Sequence, residues 1–327
     1  MKYNFLTFCL LAVFSISAFA QQPSATQQPR AARTPAPRIT SILEVYDLTT
    51  GTRRVVREFN TRIEAPNWTP DGKLLIYNSG GLLYKISPDI AGDTPIQINT
   101  DFVNSCNNDH VVSFDGKFIA ISASPVEARR SYVYTVPIEG GVPRLITPIG
   151  PSYLHGISPD NNFLAYCAER NGNFDIYVIP TLGGRERRLT DTEGLDDGPE
   201  YSPDGKYIWF NSVRSGLMQA WRMKADGSEQ TQMTFDEDLN TWFPHVSPDG
   251  KQVVMIAYRK GDVEPGDHPA NKNVVLRLMP SEGGAAKTIV ELFGGQGTLN
   301  VHSWAPDSKR FAFVSYRLEE PVVPPAQ

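Results

Sequence analysis

Tyr201-Ser202-Pro203-Asp204-Gly205 followed by Tyr207-Ile208-Trp209-Phe210 is a tight turn leading into an apolar strand. Proline fixes φ, aspartate hydrogen-bonds its own backbone, and glycine takes the positive-φ position of a hairpin. The phrase returns as Trp68-Thr69-Pro70-Asp71-Gly72, Val112-Ser113-Phe114-Asp115-Gly116, Ile157-Ser158-Pro159-Asp160-Asn161, Val246-Ser247-Pro248-Asp249-Gly250 and Trp304-Ala305-Pro306-Asp307-Ser308. Successive aspartates lie 44, 45, 44, 45 and 58 residues apart. A fixed period of roughly 40 to 50 residues marks a propeller or a solenoid.

The content of each period decides between them. A short segment enters the phrase, an apolar strand such as Leu74-Leu75-Ile76-Tyr77 leaves it, and an alternating strand such as Asp175 to Ile179 follows. A short fourth strand such as Arg187-Arg188-Leu189-Thr190 ends the unit, after a glycine turn such as Gly183-Gly184. Four antiparallel strands repeated six times make an all-β, six-bladed β-propeller. Residues 304 to 317 supply only the first two strands of the last unit, whereas Ile42 to Tyr46 and Arg53 to Phe59 read as a third and fourth strand with no pair before them. The N-terminal strands are therefore expected to complete the last blade and close the ring, which removes open edges.

Outside the repeats, Lys2 followed by the apolar run Phe5 to Phe19 and ending Ala18-Phe19-Ala20 reads as a signal peptide, cut after Ala20. The expected domains are a signal peptide at 1–20, a Pro/Gln-rich linker at 21–40, the propeller at 41–318 and a Pro-rich tail at 319–327. Localisation is then periplasmic or secreted, with no membrane span, since a span needs roughly 20 apolar residues. Across the whole chain, 31 Lys plus Arg against 36 Asp plus Glu and a net charge of −5 argue against a nucleic-acid partner. Three cysteines are too few for a disulfide scaffold, and geometry decides whether Cys106 and Cys167 pair.

The Ser-Pro-Asp-Gly-Lys phrase, the Asp175-Ile176-Tyr177 strand and the Gly-Gly…Arg-Leu-Thr ending resemble the WD40-like PD40 repeats of the TolB-like β-propellers. That family is periplasmic and six-bladed, and the resemblance covers about residues 41 to 318. TolB itself carries an α/β domain before its propeller. Here the linker stands in that place, so a role in the Tol envelope system is not implied.

Aligning the units on the repeat aspartate exposes the candidate site. Five positions before it stand Pro66, His110, His155, Pro199, Pro244 and His302, and four before it stand Asn67, Val111, Gly156, Glu200, His245 and Ser303. His268 falls in Lys260 to Asn271, an insertion taken to explain the spacing of 58. First strands of a propeller line its channel, so all five histidines are expected at one mouth, the end where first strands begin. Strict alternation along a strand would, however, turn His245 away from His302. Glu64, Asp109, Asp197, Glu200, Tyr153 and Trp242 join them from the same leading segments. Imidazoles beside carboxylates can ligate a metal or move protons near neutral pH, and aromatic rings can stack on a sugar. A structural reading stands beside this one, because inner-strand histidines also bond the backbone of the next blade.

The expected function is binding of a carbohydrate or an envelope protein or peptide at this mouth by His110, His155, His245, His302, Glu64, Asp197, Glu200, Trp242 and Tyr153. The alternative is a metal-dependent carbohydrate lyase or hydrolase, with manganese, zinc or calcium on His110, His155 and His302. That alternative draws on a resemblance to the oligogalacturonate lyases, seven-bladed propellers in which histidines near the channel hold manganese and assist β-elimination from a uronic acid. No catalytic residue is carried over from them. A third reading is an interaction platform with a satisfied channel.

Overall fold

The computed structural model describes residues 38–125 and 129–319. The signal peptide, most of the linker and the last residues of the tail lie outside the described residues. Two strands come first: β1 (Arg38–Asp47), starting inside the stretch read as linker, and β2 (Thr52–Phe59). Blade 1 follows as β3 (Glu64–Trp68), β4 (Leu75–Ser79), β5 (Leu82–Ile86) and β6 (Ile96–Ile98). Blade 2 is β7 (Cys106–Val112), β8 (Phe118–Ala123), β9 (Tyr132–Pro137) and β10 (Arg144–Leu145). Blade 3 is β11 (Ser152–Ile157), β12 (Phe163–Arg170), β13 (Asn173–Pro180) and β14 (Arg187–Arg188). Blade 4 is β15 (Asp196–Tyr201), β16 (Tyr207–Ser215), β17 (Leu217–Lys224) and β18 (Thr231–Gln232). Blade 5 is β19 (Leu239–Val246), β20 (Gln252–Arg259), β21 (Ala270–Pro280) and β22 (Lys287–Gly295), and β23 (Arg310–Glu319) ends the described chain. Among the described residues there is no helix.

Closure occurs as the terminal strands predict. β23 pairs antiparallel with β1 from Arg38↔Glu319 to Asp47↔Arg310, β1 pairs with β2, and one bridge, Trp304↔Phe311, stands for the inner strand. Glu44, buried at this seam, accepts hydrogen bonds from Ser315 Oγ at 2.6 Å and from Arg53 through Nε and Nη2. A buried carboxylate is tolerable only when its oxygens are filled in this way.

The repeat phrase folds as its chemistry requires. In each of the first five turns the Ser or Thr hydroxyl donates to the aspartate two residues on, as Ser202 Oγ does to Asp204 Oδ1 at 2.7 Å. The aspartates are thus turn caps. Neighbouring turns lie side by side: the Phe114 amide donates to Asn161 Oδ1 and the Asp249 amide to Ser308 Oγ, and a Cβ added at Gly116, Gly205 or Gly72 would meet Pro70, Pro159 or Pro306, so the turns share one face. Between blades sit the large buried side chains Trp209, Trp242, Trp304, Tyr77, Tyr166 and Tyr258.

One departure changes the channel. In blade 6 the carbonyls of Thr298 and Ser303 still accept from β23, but the stretch between them leaves strand geometry. Leu299, Asn300 and Val301 are at most 1% exposed. Val301 packs with Ala65, Val111 and Leu154 of blades 1 to 3, while Leu299 joins Trp242 and Phe243 of blade 5. The chain therefore crosses the axis and plugs it. The long last repeat holds this crossing as well as the insertion between β20 and β21.

Candidate functional site

Every complete blade's inner strand carries a register shift just before the repeat phrase, at Glu64/Asn67, Cys106/His110, Leu154/Gly156, Asp197/Glu200 and Trp242/His245. At Ala65, Gly198 and Phe243 the extra residue has positive φ, the mark of a β-bulge. A bulge rotates the side chains that follow it, so strict alternation fails there. Consequently His245 and His302 do meet.

They meet on Glu200. Its Oε2 lies 2.6 Å from His245 Nδ1, and its Oε1 lies 3.1 Å from His302 Nδ1 and accepts from the Val246 amide at 3.1 Å. Burial would raise this carboxyl, but the two imidazoles overrule it and bring it down to about 2. Glu200 is thus an anionic clamp joining blades 4, 5 and 6. Its hold on Nδ1 of His302 leaves Nε2 as that ring's available nitrogen.

A second group surrounds His155. Its Nε2 stands 3.4 Å from Asp197 Oδ1 and 3.9 Å from Asp109 Oδ1, its Nδ1 faces the carbonyl of Asn300 in the plug at 3.3 Å, and its ring stacks on Phe243. Burial alone would depress this imidazole; the two carboxylates instead raise it to about 9. Burial likewise pushes Asp109 up to about 6, against the pull of His155. Asp197 is held below the usual carboxylate range, because His155, His268 and the Gly198 amide outweigh its burial. His268 comes from the insertion, lies 3.9 Å from Asp197 Oδ2 and packs edge-on against Trp242.

A cavity of about 290 Å³ opens beside these groups on the face of the repeat turns. Pro70, Phe114, Pro203, Pro248 and Pro306 make its rim, Trp68 and Trp304 its walls, and His155, Glu200 and His302 its polar floor. Sequence reasoning placed the mouth at the other end, where first strands begin. The plug and the insertion crowd that end, so the cavity lies where the strands finish. Phe114 was a visible departure from the repeat, standing where four other units have proline after the hydroxyl residue, and it was the missed signal.

The remaining expected residues divide. His110 is fully buried, its Nε2 is 3.3 Å from the Ile76 carbonyl, and burial drives it down to about 4. It braces blades 1 and 2. Trp242 is fully buried in the core and offers no stacking face; Tyr153 is half-buried beside Phe174. Glu64 sits near Arg62, its carboxyl raised by burial. Among the described residues no three His, Cys, Asp or Glu side chains are placed to hold a metal ion, so the ligand set His110, His155 and His302 is not assembled. Cys106 and Cys167 are both free and buried, without a disulfide. Arg170 and Arg214 pair with Glu186 and Asp196 and brace their hairpins.

A closed ring of six small sheets around a plugged axis defines a six-bladed β-propeller. The family model described as the TolB beta propeller domain, PD40, matches residues 112–283. The chain belongs to that family. An uncharacterised protein of Agrobacterium fabrum is 46% identical over 292 residues, which is 89% of this chain and 97% of the relative. A solved structure from Agrobacterium tumefaciens, provisionally assigned as TolB, matches with a TM-score of 0.81 at 47% identity over 88% of this chain and 100% of that one. An oligogalacturonate lyase from Vibrio parahaemolyticus aligns at 13% identity and a TM-score of 0.50, over 79% of this chain and 75% of that one. That likeness is one of fold alone.

Proposed function

We propose that this chain is an exported binding module that captures an extended peptide segment of an envelope protein, seating one bulky apolar side chain in the turn-face pocket. The observation that carries this reading is the pocket itself, walled by Trp68 and Trp304, rimmed by prolines and Phe114, with His302 at its floor. Its volume of about 290 Å³ falls at the small end of ligand pockets, which suits one anchoring group. A sugar chain would want many hydrogen-bonding groups, whereas prolines and other apolar side chains make up most of this lining, and Trp242, the residue expected to stack on a ring, is inside the core. Because Glu200 occupies Nδ1 of His302, Nε2 can receive a hydrogen bond from the ligand when the ring is neutral.

The test is site-specific photo-crosslinking in cells, with benzoylphenylalanine in place of Phe114 or, as a control, of Val55 on the outer strand β2. Light-dependent protein adducts from position 114 that vanish with His302→Ala, and none from position 55, support the reading. Equal adducts from both positions, or saccharide capture on a glycan array without any protein adduct, would overturn it. Sequencing the mature N-terminus tests export directly, with Gln21 expected first.

A further inference from the structure

A second hollow lies between blades 2 and 3. It holds about 890 Å³ and is lined by Asp115, Asn161, Phe163, Val142, Leu182 and Arg144, among others. No residue lines both cavities, but Phe114 is on the rim of the first and its successor Asp115 lines the second. There both neighbouring repeats break their pattern together. Phe114 replaces proline and so has an amide N–H, and Asn161 replaces glycine and accepts that N–H through Oδ1 at 2.8 Å. The pair fixes an aromatic ring, 44% exposed, between the two hollows.

The outer hollow is apolar along its wall and cationic at its edge. Val142 and Leu182 are 69% and 73% exposed, and Phe163 is 42% exposed. Arg144 spends one nitrogen on the Leu182 carbonyl and, among the described residues, joins no ion pair. Arg185, in the adjoining depression that shares Phe163 and Pro180, is exposed and joins none either among the described residues. Two of the nearby acids are neutralised, Asp115 by Lys117 and Glu186 by Arg170, whereas Asp160 bonds only the neutral Ser158 and Asn162 and keeps its charge. Among the described residues, Arg144 and Arg185 thus set two unpaired positive charges against one negative.

We infer that pocket and outer hollow form one track for an extended peptide whose apolar anchor has acidic residues beside it: the anchor enters the axial pocket, the chain passes over Phe114, and its acidic part meets Arg144 and Arg185. This rests on the peptide reading above and adds a charge pattern to it, with the acidic residues on either side of the anchor in sequence. The exposed Phe114 ring between the two cavities and the unpaired Arg144 and Arg185 together select this partner.

The probe is a random twelve-residue peptide library displayed on phage and selected on the mature protein, followed by titration of labelled winners against variants. Winners with an apolar residue and, on either side of it in sequence, two or more acids, weakened about tenfold or more by Arg144→Glu with Arg185→Glu, and crosslinking to benzoylphenylalanine at position 182, are the expected result. Winners that lose binding with His302→Ala, but show no acidic bias and ignore the arginine changes, overturn the track while leaving the pocket. A library that yields nothing, or only winners indifferent to His302→Ala, overturns both. Thermal melts of each variant within a few degrees of the parent establish that lost binding is not lost fold.

Discussion

Replacing Glu200 by glutamine removes one charge from the centre of the molecule without changing its volume. The carboxyl is brought from 4.5 to about 2 by His245 and His302. At about 1.4 kcal/mol per pKa unit, that depression corresponds to roughly 3 kcal/mol of stability at neutral pH. Glutamine can accept from one imidazole but presents N–H to the other, and leaving a buried ionic partner unmatched costs about 3 to 5 kcal/mol. We therefore expect Glu200→Gln to lose about 3 to 4 kcal/mol in urea unfolding followed by tryptophan emission. Trp304 is a suitable reporter, since its Nε1 donates to the His245 carbonyl at 2.9 Å. The pH dependence has a definite sign: with the folded pKa below the unfolded one, the contribution is complete above about pH 4.5 and is lost as pH falls toward about 2. The gap between parent and variant must then narrow on acidification. Glu58→Gln, which breaks an exposed pair with Arg317, is the control and should cost no more than about 1 kcal/mol. A Glu200→Gln loss as small as the control's, or a gap that does not shrink in acid, would refute the clamp.

Other perturbations test other parts of the molecule. His155, raised to about 9, contributes stability that is full below pH 6.5 and lost as pH rises through about 9; ring proton NMR should show a titration near 9, and a midpoint near 6.5 would contradict the Asp109 and Asp197 arrangement. Gly297→Ala should destabilise by about 1 to 3 kcal/mol in the same unfolding assay, because its φ is +94° and a Cβ would come within 2.5 Å of the Tyr316 hydroxyl; a neutral result would mean the plug is looser than described. Cys106, its thiol raised to about 12 by burial, and Cys167, which burial also holds well above the ordinary thiol value, should ignore a thiol reagent in the native protein and react on unfolding. Rapid native labelling of either would show that its blade opens.

The architecture was legible because a turn has little chemical freedom: an aspartate at one fixed place six times, with proline before it in five turns and glycine after it in four, leaves few folds, and the unmatched strand pairs at the two ends dictate closure. The gathering of His155 and His302 along the axis was legible for the same reason, since rotation brings like positions together. What stayed hidden lies below that resolution. The inner-strand bulges have no common residue, being alanine at 65, glycine at 198 and phenylalanine at 243, so nothing in the letters announces that His245 turns toward His302. The plug was hidden because Leu299 to Val301 look like any apolar inner strand. Trp242 was misjudged because repeat position does not distinguish a ring that faces the axis from one buried between blades.

The seam between β1 and β23 has a consequence for how the protein is made. Ser315 and Glu44, which bond across it, are 271 residues apart in sequence. At roughly 5 to 20 residues per second, tens of seconds separate the synthesis of one partner from that of the other. Throughout that interval β1 has β2 on one edge and nothing on the other, and every blade in between can form before the circle does. Lesions in the final ten described residues should therefore act less by weakening the finished molecule than by prolonging a horseshoe with two bare edges, the state in which one chain can complete another.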